Sequence, residues 1–142
     1  MTASAAFRTL STASELEEAE MAKVSRDSAE NVADYGMAED RTTTADGYTM
    51  GFTTIREAHD LAPVLAGLPG GHCSCPHWGY VTRGRLVFTF PDHVEEYETG
   101  DAFYAPPGHT PAAEADTEIV MFSPADLLAT TEAAIAESMQ GT

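Results

Sequence analysis

Between Gly70 and Gly84 the chain reads Gly-Gly-His-Cys-Ser-Cys-Pro-His-Trp-Gly-Tyr-Val-Thr-Arg-Gly. This stretch holds both cysteines, two of the five histidines and the sole tryptophan of the 142 residues. Extended backbone sends alternate side chains to opposite faces, which predicts Cys73, Cys75 and His77 on one face and His72, Ser74 and Pro76 on the other. Two sulfurs and an imidazole directed at one point make a donor set for a transition metal, with zinc the expected ion and copper and iron compatible. A bridge between the two cysteines is disfavoured, because same-face neighbours on a strand sit roughly 6.5 to 7 Å apart at Cα, longer than most disulfides span.

Composition limits what such a site would serve. Seven Lys and Arg stand against 23 Asp and Glu, a formal net charge of -16, and no basic residue follows Arg85. A surface of that sign repels a phosphate backbone and an anionic bilayer, so nucleic-acid and membrane roles are excluded as expectations. The first ten residues lack the charged start and apolar centre of a signal peptide, and no stretch is long enough to span a bilayer. The chain is therefore expected to be cytoplasmic, where two cysteines are reduced or metal-bound. Its length is that of one compact domain.

The elements that must position the site follow from periodicity and turn chemistry. Ser11 to about Asp34 reads as a surface helix with a capping Ser11 or Thr12, acidic residues in its first turn and a thin apolar stripe. Asp46-Gly47 is a turn pair, and Tyr48 to Arg56, rich in Thr and aromatic residues, is a strand. Ala58 to Pro69 reads as a loop with one short helical turn. Tyr80 and Val81 continue a strand into a hairpin turn at Thr82 to Arg85, followed by strands over Leu86 to Phe90 and Val94 to Glu98. Ala102 to Ala105 runs into Pro106-Pro107-Gly108-His109-Thr110-Pro111, a proline-rich segment expected to cross an end of the sheet as a rigid loop. A strand over Glu118 to Phe122 precedes a terminal helix from Pro124 to about Met139, with Leu127, Leu128, Ile135 and Met139 as its apolar side. Short strands at this spacing indicate an antiparallel sandwich or barrel flanked by two helices.

These residues resemble the cupin superfamily of small double-stranded β-helix barrels. His77 to Gly84 matches the end of the first cupin motif, with His77 at its glutamate position, and Gly100 to Gly108 matches the start of the second. The resemblance is closest to small cupins carrying Cys-x-Cys-Pro-His-Trp-Gly-Tyr-Val and Pro-Pro-Gly-His-Thr-Pro. It implies a mainly β fold, a jelly-roll barrel over residues 47–123, with an N-terminal helical arm (1–46) and a C-terminal helix (124–142). The histidine pair of the general motif is absent: cysteines occupy its place, and His109 directly follows Gly108. The expected metal ligands are Cys75, His77 and His109, with Cys73 or His72 completing the set. Against this stands the reading of buried cysteines and histidines that merely pack.

Tyr104, beside the proline loop, is the expected phenol at a substrate, and Glu114 the expected general base. Asp116, Glu118 and Glu96 are lesser candidates, all equally read as a solvated acidic edge. Trp78 should lean away from the interior and pack on a flanking helix. The expected function is a metal-dependent enzyme, of oxygenase, isomerase or lyase type, acting on a small organic substrate inside the barrel. The alternative is a non-catalytic binding or sensor barrel with a structural metal or none. A homodimer is expected, since an N-terminal segment could cover an exposed edge strand of its partner.

Overall fold

The computed structural model describes residues 22–140. Among these residues, ten strands build two antiparallel sheets. The first sheet contains β1 (Asn31–Asp34), β2 (Ala38–Ala45), β3 (Tyr48–Ile55), β10 (Thr117–Pro124), β5 (His77–Arg83) and β8 (Ala102–Ala105), in that spatial order. The second contains β4 (His59–Asp60), β9 (Thr110–Ala113), β6 (Arg85–Thr89) and β7 (Val94–Glu98). Two helices, α1 (Ala62–Leu65) and α2 (Ala125–Gln140), pack together, with Ser138 Oγ donating to the Val64 carbonyl at 3.1 Å. The expected mainly β architecture with a terminal helix is what the chain adopts.

Asp46 and Gly47 both hold positive φ, 52° and 80°, as the two-residue turn joining β2 to β3 requires. Alternation does the rest of the sorting. On β5, His77 and Val81 point inward and are buried, while Trp78 and Tyr80 face out. Val81, Leu86, Phe88, Phe90, Phe103 and Ile119 meet between the sheets, each burial contributing roughly 1.5 to 3 kcal/mol for a full side chain. Gly79 sits under the Phe103 ring, where a Cβ would strike that ring and the Val120 carbonyl, so a bare backbone is needed there. A second cluster, Leu65, Cys73 and Cys75, packs against Leu128 and Ile135 of α2.

Three sequence expectations are corrected. The helix predicted from Ser11 to Asp34 does not hold over its described part: 22–30 has no helix, and Asn31–Asp34 is strand β1. Its residues 11–21 lie outside the described residues. The acidic and threonine-rich Ala38–Ala45 is also a strand, although it falls in the expected helical arm. Its outer face is covered by the preceding segment, where the Glu30 amide donates to the buried Thr43 hydroxyl at 3.3 Å. The supposed hairpin at Thr82 to Arg85 is a corner between sheets. β5 pairs with β10 and β8, whereas β6 pairs with β7 and β9. Gly84 turns this corner with a φ of 88°, against Thr117. The proline loop does cross between the sheets, from β8 to β9, but pairing resumes earlier than expected, with Pro111 opposite Phe88.

Candidate metal centre and cavity

His77 is the first residue of β5 and points inward, held opposite Ala105 of β8. The segment before it is not a strand. Instead Cys73 pairs backbone to backbone with His109, its amide donating to the His109 carbonyl at 2.8 Å while the Gly108 amide donates to the Cys73 carbonyl at 2.8 Å. This single bridge ties the Cys/His stretch to the proline loop and sets their side chains together. Cys73 Sγ and one nitrogen each of His77 and His109 lie within 4.8 Å of one another, all three residues buried.

The hydrogen bonds prepare these atoms for ligation. His109 Nδ1 lies 2.7 Å from the Pro106 carbonyl, which can only accept, so Nδ1 carries the proton and Nε2 the lone pair. That Nε2 is buried with no partner, a costly state unless something is bound to it. The ring is fixed by stacking on Phe88, with centroids 4.6 Å apart and planes 18° from parallel. His77 Nδ1 pairs with Ser123 Oγ at 2.7 Å, directing Nε2 toward Cys73 Sγ, 3.7 Å away. The Cys73 sulfur also accepts the Cys75 amide at 3.4 Å and lies 3.2 Å from the Thr131 hydroxyl of α2 and 3.8 Å from the Cys75 carbonyl. Burial, and secondarily the nearby His109, pushes His77 down to about 3; burial also lowers His109. Both imidazoles are therefore neutral near pH 7, the form that binds a metal.

The structure brings together Cys73, His77 and His109 and leaves Cys75 out. Cys75 Sγ faces the carbonyls of Pro76 and Pro124 at 3.4 and 3.8 Å. Burial pushes its thiol up to about 12, so it packs as a small apolar group. His72 lies beside His109 without joining the converging donors. Tyr104 points outward, 49% exposed, against Trp78 at 5.0 Å between ring centroids. Trp78 packs on Tyr48 and Tyr104 instead of the helix expected to cover it. Glu114 and Glu96 both pair with Arg85 at the surface, and Glu118 is buried beneath Arg26; none of the three lines the cavity.

A cavity of about 150 Å³ opens above Cys73 and His77. Its walls are mostly apolar, among them Ile55, Leu86, Phe88 and Ile119, and its polar lining includes Asp40, Ser123, Thr131 and Glu132. Of these four, none was singled out from the sequence. Thr131 and Glu132 had a signal: they interrupt the Leu128 to Ile135 stripe of α2 at helical spacing, where a polar side chain is turned inward.

No protein-family model and no curated protein sequence matches the chain. Solved structures do. A protein of unknown function from Rhizobium leguminosarum superposes with a TM-score of 0.54 at 17% identity, over 73% of this chain and 95% of that one. An RmlC-like cupin from Shewanella frigidimarina gives 0.50 at 14% identity, over 74% and 92%. The chain has a cupin fold. The polyketide cyclase RemF from Streptomyces resistomycificus shares it, with a TM-score of 0.54 at 17% identity over 74% of this chain and 80% of that one. Within this cupin fold, Cys73 and His77 of the buried Cys/His/His group line the cavity. Among the described residues, no helix is long and apolar enough to cross a membrane.

Proposed function

We propose that this chain is a metal-dependent enzyme in which Cys73, His77 and His109 hold a divalent transition metal, zinc first, and a small organic substrate enters the cavity above them. The observation that carries this reading is the His109 Nε2, fully buried, deprotonated and without a partner beside a neutral imidazole and a cysteine sulfur. Two nitrogens and one sulfur suit zinc or copper and leave a coordination position for a ligand, and a metal so held supplies Lewis acidity or activates a bound water. The residues of the chain do the remaining work. Ser123 orients the His77 ring, Pro106 holds the tautomer of His109, Thr131 and the Cys75 amide position the Cys73 sulfur, and the apolar walls keep bulk water from the ligands.

Metal analysis of the chelator-free protein tests the assignment. About one zinc or copper per chain is expected, lost in Cys73→Ala, His77→Ala and His109→Ala and retained in Cys75→Ala. Loss in Cys75→Ala with retention in Cys73→Ala would overturn the ligand set. The second reading, a binding barrel without catalysis, draws support from the outward placement of Tyr104 and Glu114, which removes both expected acid-base groups from the cavity. It predicts a bound small molecule recovered unchanged.

A further inference from the structure

The end of the cavity away from Cys73 and His77 is walled by Asp40 of β2 and Glu132 of α2, together with Thr42 and Thr49. The same four residues line an adjoining surface hollow, so this end is the mouth. No Lys or Arg lines the cavity among the described residues. Of the imidazoles there, His77 is held neutral by burial, and His59 turns Nδ1 to the Glu57 carbonyl at 3.0 Å. Asp40 accepts one hydrogen bond, from Thr53 Oγ1 at 2.7 Å. Desolvation raises the proton affinity of both carboxyls, Asp40 raises that of Glu132 further, and no cation opposes either effect.

Two acidic side chains alone make no binding site. Here they stand at the mouth of a cavity lined also by Cys73 and His77, whose donor atoms lie within 4.8 Å of a ring nitrogen of His109, a residue whose Nε2 is fully buried and unpartnered. A like-charged pair beside a mostly apolar enclosure is unfavourable while empty and is relieved by a positive group placed between its members. The enclosed volume is close to that which takes up a benzene-sized group.

We infer that the cavity accepts a small apolar molecule carrying a protonated amine, with its ammonium at the mouth between Asp40 and Glu132 and its apolar body directed toward Cys73, His77 and His109. This names the substrate class for the site proposed above and rests on that reading only in taking the cavity as a ligand site. Carboxylate-bearing molecules of the same shape are rejected, because they meet two acidic groups and no cation at the entrance.

Phenethylamine and phenylacetate, which share one apolar body and differ in charge, are suitable probes. Their binding to the full chain is measured by titration calorimetry on zinc-loaded and chelator-treated protein, with zinc content determined in the same samples. Phenethylamine is expected to bind at least about tenfold more tightly than phenylacetate in both samples, and Asp40→Asn and Glu132→Gln are each expected to shrink that preference by about tenfold. Asp40→Asn keeps an oxygen for the Thr53 hydroxyl, so the fold is retained, and thermal melting confirms it for both variants. Equal or tighter binding of phenylacetate, an unchanged preference in both variants, or no binding of either probe would overturn the inference. Absence of zinc with the amine preference intact strikes the metal assignment alone; bound zinc without that preference strikes this inference alone.

Discussion

At the inner end of the cavity, Cys73, His77 and His109 are fixed by a backbone bridge, ring stacking and buried hydrogen bonds, whereas at the mouth Asp40 and Glu132 stand on a strand and a helix in partly hydrated surroundings. The inner end is buried and is built from the Cys73 segment, the start of β5 and the proline loop, tied together by one backbone bridge. The mouth is charged and borrows its position from elements whose main task lies elsewhere. On the proposed reading, ligation is placed in the buried interior and selection by charge where solvent can exchange.

Substitutions that breach this division should produce effects in descending order. Phe88→Ala removes the ring that stacks on His109 and touches Phe103, and is expected to cost about 3 to 5 kcal/mol in denaturant unfolding. A loss under about 1 kcal/mol would mean that the inner end is not rigidly packed. Ser123→Ala, which frees the His77 ring without opening a large void, is expected to weaken metal binding by about 10 to 100-fold in a competition titration, with stability little changed.

The smallest effects are in pH dependence, and they separate the mouth from the buried Glu118 beneath Arg26. Glu118 is held down to about 2, chiefly by its hydrogen bonds from Arg26 and also by one from Thr82. Its contribution is present above about pH 4.5 and is lost as pH falls toward 2, so Glu118→Gln should flatten the acid limb of the stability profile. Asp40 runs the other way. With its folded pKa raised by burial, its stabilising share is complete below about 3.8 and is lost as pH rises through the folded value. Asp40→Asn should therefore leave the Tm at pH 7 unchanged or raise it by a few degrees. A large drop would make Asp40 a structural group.

Much of this arrangement was legible from residue types alone. Alternation in Leu86 to Phe90 and around Val81, the Asp46-Gly47 turn and the apolar spacing of α2 each reported local chemistry that the fold keeps. Alternation likewise turned His77 inward, as β5 has it. The choice between the two cysteines was not legible, because the face argument assumed extended backbone through residues 72–77. The strand starts only at His77, and Cys73 takes its orientation from a partner 36 residues later in the chain, a long-range pairing with no local signature. β2 was missed on similar grounds. It has almost no apolar residue, since its inner face lines a polar mouth and its outer face is capped by the segment before it, so periodicity had nothing to register.

The position of α2 in the chain has a consequence for how the site is made. Every strand of the barrel leaves the ribosome before this helix does, and the helix supplies Thr131 to the sulfur of Cys73, Glu132 to the mouth, and Leu128 and Ile135 to the wall. Until α2 emerges, the Cys73 sulfur lacks the Thr131 hydroxyl and the cavity lacks the wall that Leu128, Glu132 and Ile135 supply, so the cavity is complete only once this late element has packed.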